Sequence, residues 1–298
     1  VSDGDLSIRA ATGPTDEQVD ILAAGSASWR DLPWRRTRDP WAVLVSEVML
    51  QQTQVGRVLP RYERFLERWP TPAACAAAPL GDVLVEWQGL GYPRRARNLW
   101  STARRCVEDH GGELPRDLDA QLARPGVGAD TARAVLAFAF EEPVGVVDTN
   151  IARVLARRAG RRLTPAQAQA AADDWVPPHR SWEWNQVLMD LGAQRCRPVP
   201  DCTGCPVACR WRDAGHPDPD PAQGSAGVSR RQARFEGSDR QLRGLVLAAV
   251  ADGPDVAADV EDELVARGIE PERIGSVVAS LLADGLVRRG ERGVLELP

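Results

Sequence analysis

Residues 122–148, LARPGVGADTARAVLAFAFEEPVGVVD, decide the fold. A tight Pro125-Gly126-Val127-Gly128 turn opens the stretch, and an Ala-, Val-, Leu- and Phe-rich run with the look of a helix follows. An apolar Gly-Val-Val then closes on one acid, Asp148. The two glycines can take positive φ or let another backbone come close. Because a helix starts at the turn, its first N–H groups point outward and suit an anion, with phosphate the obvious guest. Taken alone, the same four residues are equally a plain connector between helices. The rest of the chain decides between these readings.

With 298 residues, two or three domains are expected, and an apolar fraction of 43% is enough for real cores. Net charge is −5, so affinity for nucleic acid is not advertised globally, and local basic patches carry more information. All 37 basic residues are Arg. No lysine amine exists to form a Schiff base. No long apolar segment or signal-peptide pattern is visible, which leads us to expect a cytoplasmic, reducing setting with no membrane association.

Working outward, residues 1–15 are polar and expected to fray, and Asp16 to Ser28 can form a first helix. RDLPWRRTRDPW at 30–41 carries four arginines and two tryptophans. It reads either as a loop pinned by Trp34 and Trp41 with solvated arginines, or as an Arg-lined mouth for phosphate or base. Trp41 to Leu50 is helical with an apolar stripe that Glu47 interrupts. Such a carboxylate is either on an exposed helix face, or paired, or kept neutral by burial. Gln51-Gln52-Thr53-Gln54 suits base edges, or merely ends a helix. Further helices are expected from Val55 to Trp69 and, with Thr71 as cap, through Ala78. Another runs over Leu80 to Gln88. A second glycine turn, Gly89-Leu90-Gly91-Tyr92-Pro93, precedes an Arg-rich helix that is either solvated or set against a nucleic-acid backbone. Asp148 also reads as the N-cap of a helix over Ile151 to Arg158, with helices at Pro165 to Asp174 and Glu183 to Gln194 beyond it. Almost no strand pattern precedes residue 230.

Cys196, Cys202, Cys205 and Cys209 are spaced C-x5-C-x2-C-x3-C. Four thiolates this close can hold a [4Fe-4S] cluster or a tetrahedral Zn ion, and three prolines stiffen the loop.

In order along residues 28–211, LPWR, SEVMLQQTQV, GLGY, PGVG, VDTNIARVLAR, NQVLMDLGA and the cysteine box form a set. It resembles the MutY-type adenine DNA glycosylases of the helix-hairpin-helix iron–sulfur superfamily. The resemblance implies a mostly α, two-lobed helix-hairpin-helix core with a four-cysteine cluster loop. A six-helix lobe would span about 42–147, and the N-terminal and cluster lobe about 1–41 and 148–211. It implies removal of adenine opposite 8-oxoguanine or guanine in double-stranded DNA, by a bacterial, nucleoid-associated monomer. The residues make chemical sense of this. Breaking an N-glycosidic bond calls for an acid on the leaving base and a carboxylate beside the oxocarbenium-like sugar. Glu47, among apolar neighbours, suits the first role. Asp148, ionised at a helix N-terminus, suits the second. By resemblance Asn150 holds the sugar or water, Gln52 and Tyr92 wedge the stack, and Leu90 accompanies Tyr92 on its turn at the DNA. Arg30 and Gln186 contact adenine, and the Gly126 and Gly128 amides take a phosphate.

Three departures stand out. Asp130 occupies a position where lyase relatives carry Lys, so a monofunctional enzyme is expected, with a third acid that stabilises the cation or perturbs the other two. The cysteine box is shorter than the family's C-x6-C-x2-C-x5-C, which keeps zinc open. The NUDIX-like domain of many relatives has no counterpart in this sequence. Instead residues 212–237 read as a linker, and 238–298 as three helices (Arg240 to Ala251, Asp259 to Arg267, Glu272 to Ala283) and a hairpin, a small winged-helix-like domain. A thymine or uracil mismatch glycosylase on the same scaffold, or a non-catalytic cluster-bearing DNA binder, are the rival readings.

Overall fold

The computed structural model describes residues 13–27, 29–228, 234–290 and 293–298. Most of the expected frayed N-terminus, part of the expected linker and the tip of the expected hairpin lie outside them. Nearly everything described is helical. The order is α1 (Asp16–Ala27), a 3₁₀ turn (Pro33–Arg35), α2 (Pro40–Leu50), α3 (Val55–Arg68), α4 (Pro72–Ala77), α5 (Leu80–Glu86) and α6 (Arg94–His110). Then come α7 (Leu118–Leu122), α8 (Ala129–Ala139), α9 (Thr149–Ala159), α10 (Pro165–Asp174), α11 (Ser181–Gln194) and α12 (Arg210–Asp213). The chain ends in α13 (Asp239–Asp252), α14 (Pro254–Ala266), α15 (Pro271–Ala283) and an antiparallel pair, β1 (Arg288–Arg289) with β2 (Leu295–Glu296).

Local chemistry sets the boundaries. Asp39 caps α2 by accepting from the Ala42 N–H at 2.7 Å, with Pro40 at the first helical position. Thr71 caps α4 in the same way, and Thr164 with Gln167 closes a full capping box on α10. Gly111 and Gly160 end α6 and α9 in the left-handed conformation.

The chain divides into two compact units, Val1–Arg38 with Ala132–Arg230, and Asp39–Thr131 with Arg231–Pro298. In the first, α9 packs on α11, α10 and α12. A Cβ on Gly192 of α11 would stand 2.5 Å from the Asn150 carbonyl oxygen, so only glycine lets α9 approach this closely. Part of the expected linker belongs to this unit. Asp220, Ala222 and Ser225 are buried, Ala226 N–H donates to the Leu163 carbonyl at 2.9 Å, and Leu163 N–H donates to Ser225 Oγ at 3.0 Å. The physical reason is a buried counter-ion: Asp220 accepts from Arg157 Nη2 at 2.6 Å and Nε at 3.1 Å, and without it the buried guanidinium would stand uncompensated.

In the second unit α2, α3 and α6 bury Trp41, Phe65, Trp69 and Trp87, with Trp41 Nε1 donating to the Trp69 carbonyl at 2.9 Å. The three C-terminal helices and the strand pair join this unit. There α13 packs on α5, and Arg97 donates to the Asp284 carbonyl at 2.7 Å. An apolar cavity of about 190 Å³ remains between α13 and the Gly89–Pro93 turn.

Candidate active site

In the second unit, Glu47 sits half-buried on α2 between buried Ser46 and Val48. Beyond the end of that helix, Gln52 is exposed with φ +55°. Tyr92, half-buried on the Gly-Leu-Gly-Tyr turn, has φ +49°. A left-handed backbone is costly for a side-chain-bearing residue and persists only where its surroundings hold it. Arg95 does the holding. Its Nη1 donates to the Val48 and Met49 carbonyls at 2.7 and 2.9 Å. Its Nη2 donates to Thr53 Oγ1 at 3.0 Å and to the Leu90 and Gly91 carbonyls at 2.9 Å each. One cation therefore ties both turns to the end of α2. Burial lowers the Arg95 guanidinium to about 10, an effect opposed by Tyr92, so it stays charged at neutral pH. The Arg-rich start of α6, expected to be solvated or to face nucleic acid, thus spends Arg95 internally. Leu90, expected at the DNA, is 4% exposed, and its carbonyl rather than its side chain does the work.

The hairpin glycines differ in what they require. Gly126 has φ +74°, and a Cβ there would stand 2.5 Å from Asn98 Nδ2. Gly128 is exposed with nothing within 4 Å of its would-be Cβ, leaving open space in front of the hairpin. Asp130 is exposed in the first turn of α8.

In the first unit, Asp148 caps α9 as expected. Its Oδ1 accepts from the N–H groups of Asn150 and Ile151 at 3.0 and 2.7 Å, and its Oδ2 accepts from Asn150 Nδ2 at 2.8 Å. Burial pushes its carboxyl above the ordinary range. The bonds from Ile151 and Asn150 and the charge of Arg153 pull it back toward ionisation. The helix terminus alone therefore does not decide its charge, contrary to the expectation from sequence. Arg153 is the residue that sequence reasoning missed. Its Nη2 donates to Asn150 Oδ1 at 2.7 Å and to the Gly192 carbonyl at 2.8 Å, and its Nε to the Cys196 carbonyl at 2.9 Å. The signal was present, since Asn150 and Arg153 stand i, i+3 on one helix.

Arg30 and Gln186 were expected to contact a base. Gln186 is 3% exposed on α11. Arg30 Nε donates to Asp190 Oδ1, and Asp190 also accepts two bonds from buried Arg35 at 2.7 and 2.9 Å. Burial raises the Asp190 carboxyl, but bonding to Arg35 and the charges of Arg35 and Arg30 outweigh it and hold it below the usual range. In segment 30–41 Trp34 and Trp41 are buried, as a loop pinned by them requires, and Arg36 and Arg38 are exposed, while Arg35 departs from the solvated reading and is buried on Asp190.

The four cysteines line one cavity, together with Arg157, Pro200, Val207 and Trp211. Arg157 Nη1 donates to Cys196 Sγ at 3.3 Å and to the Arg197 carbonyl at 2.7 Å, and Arg212 Nη1 donates to the Cys205 carbonyl at 3.1 Å. Burial pushes the Cys196 thiol up and Arg157 pulls it down. Among the described residues no three histidines, cysteines or carboxylates are arranged to hold a metal ion directly. No described helix is long and apolar enough to cross a membrane.

Residues 45–178 match the profile of the HhH-GPD superfamily base excision DNA repair proteins. The chain is 41% identical over 299 residues to an adenine DNA glycosylase of Mycobacterium tuberculosis, covering 96% of this chain and 95% of that one. It is 40% identical over 283 residues to an adenine DNA glycosylase of Mycolicibacterium smegmatis, covering 92% and 94%. Among solved structures, a thermostable thymine-DNA glycosylase superposes with a TM-score of 0.61 at 30% identity, over 66% of this chain and 95% of that one.

Proposed function

The chain belongs to the HhH-GPD base excision repair superfamily, among its MutY-type adenine DNA glycosylases, and we propose that it excises adenine mispaired with 8-oxoguanine or guanine by base flipping and acid-assisted cleavage. It is a hydrolase of N-glycosyl bonds in DNA. The observation that carries the reading is the Asp148–Asn150–Arg153 relay. A carboxylate gathered by three hydrogen bonds at a helix terminus, its amide partner fixed in turn by a guanidinium, is a preformed counter-charge for a developing sugar cation.

In this reading Gln52 and Tyr92 open the stack, Arg30 and Gln186 contact the extruded adenine, and the Gly126 and Gly128 amides seat a phosphate. Glu47 gives its proton to the departing base as the C–N bond breaks. Asp148 stays ionised beside the oxocarbenium-like sugar, and Asn150 orients the water that adds to it. Asp130 adds negative charge for the same cation. With no lysine in the chain the product is an abasic site, and the strand is not cut.

Cys196, Cys202, Cys205 and Cys209 would hold a [4Fe-4S] cluster. A zinc ion draws four ligands to about 2.0–2.3 Å of one point. All four thiols line one cavity, so one group held by all four fits their placement. When bound, the cluster cross-links the loop; no step at the sugar passes through it.

The test is strand nicking by alkali after incubation with labelled duplexes carrying A:8-oxoguanine, A:G, T:G or U:G. We expect cleavage of the adenine duplexes, and Glu47→Gln should abolish it while leaving binding intact. Nicking only at T:G and U:G would move the substrate to pyrimidines. Glu47→Gln cutting at the wild-type rate would remove Glu47 from the chemistry.

A further inference from the structure

The start of α13 brings Arg240 to Tyr92, and Phe235, just before that helix, stands beside Arg240. Arg240, in the first turn of α13, donates from Nη1 to the Tyr92 hydroxyl at 2.8 Å. Its guanidinium carbon lies 5.8 Å from the Tyr92 ring centre and 5.9 Å from that of Phe235. Both distances are within the range where a cation is attracted to an aromatic face. Phe235 is 59% exposed, far more than a core aromatic, yet it stands three residues before the cap of α13 and beside a cation. The Arg95 guanidinium carbon lies 5.6 Å from the Tyr92 ring centre.

We propose that Tyr92, Arg240 and Phe235 form one stacking ledge for a nucleobase of the opened duplex, so that the C-terminal domain takes part in reading the DNA. The ledge rests on the reading of Tyr92 as a wedge and extends it. A phenyl ring exposed this far offers a π-face to any base. A guanidinium is planar, so it can hold the Tyr92 hydroxyl at its edge and still present a face for stacking. The hydroxyl bond fixes the orientation of the Tyr92 ring, which a wedge needs, and this ring already stands on a constrained left-handed turn.

The ledge predicts which duplexes lose affinity. Anisotropy titration would compare a duplex carrying a non-hydrolysable adenine analogue opposite 8-oxoguanine with the fully paired duplex. 2-Aminopurine beside the mispair would report base opening. Phe235→Ala should weaken mispair binding by about tenfold, the scale of one lost stacking contact, and change paired-duplex binding by less than about twofold. Arg240→Lys keeps the charge but not the plane. It should lose mispair discrimination as Arg240→Ala does, while keeping the wild-type dependence of affinity on salt. Tyr92→Phe should lose less than Tyr92→Ala, because it keeps the ring and drops only the bond to Arg240. Phe235 is exposed, so its truncation leaves no cavity; unchanged thermal melting confirms an intact fold.

Wild-type mispair affinity in Phe235→Ala would overturn the ledge. Wild-type discrimination in Arg240→Lys would also overturn it and leave Arg240 a phosphate contact. Alkali nicking of the same duplexes separates the two readings. Discrimination that depends on Phe235 without adenine excision would sink the enzyme and keep the ledge, and excision with discrimination indifferent to Phe235 would do the reverse.

Discussion

Replacing Arg95 by Met keeps an aliphatic stem in place and removes the guanidinium that ties two turns to α2. Five hydrogen bonds of 2.7–3.0 Å go with it, four of them to main-chain carbonyls. A bond from a charged donor contributes about 1.5–3 kcal/mol when measured singly. These five share one side chain and are not additive, so two bonds' worth is the working figure, about 3–6 kcal/mol. For a body of this size each kcal/mol moves Tm by roughly 2–4 °C, so melting should fall by about 6–24 °C. The loss is uneven across the molecule. Amides at 51–54 and 89–92 should exchange with solvent well before the rest of α2 and α6, because Gln52 and Tyr92 no longer have their left-handed backbones held. Calorimetry gives the first quantity, and hydrogen exchange read by mass spectrometry gives the second. Arg95→Lys, a point charge that reaches fewer carbonyls, should fall between. An Arg95→Met protein that melts within about 2 °C of the wild type, with both turns protected, would refute the tie.

Asp190→Asn strands the buried Arg35 guanidinium and should cost about 3–5 kcal/mol in denaturant titration. The wild-type Asp190 carboxyl is held below its unfolded value, so its contribution is present above that value and lost as pH falls through the folded one. The variant should therefore show a flatter acid limb. Asp148 has the opposite sign. Its folded carboxyl is raised, so its contribution favours folding at low pH and is lost as pH rises through the folded value. Since Asn caps a helix about as well as Asp, Asp148→Asn should melt no lower than wild type near pH 7, while single-turnover excision disappears. A clear drop in Tm would show that the carboxylate is there for stability. Gly126→Ala meets both a positive φ and Asn98, and should lose about 2–3 kcal/mol. Gly128→Ala meets nothing in the protein, so it should melt as wild type yet bind duplex DNA more weakly, a split readable by pairing melts with anisotropy.

The hairpin, the caps and the helix order were legible because they are local. Glycine, proline and a capping oxygen state their backbone demands within four residues, which is why α10 begins at Pro165 and α9 follows Asp148. What failed was the destination of arginine. A solvated Arg run and one that contains a buried strut look the same in sequence, since the acceptors of Arg95 lie up to 47 residues away and those of Arg35 as far as 155. The burial of Leu90 was hidden for a related reason, as a turn that presents a tyrosine can do so while burying its neighbour. Residues 217–228 looked like a tether because their Pro, Asp and Gly content is that of a tether. Only the partner of Asp220, 63 residues upstream, shows otherwise.

That last segment bears on where the polypeptide can be cut. A shortened gene stopping just past Cys209 looks natural from the cysteine spacing, but its product would leave Arg157 without Asp220 while still touching Cys196. The Thr149 hydroxyl, one residue from Asp148, would also lose its acceptor at the Gly227 carbonyl.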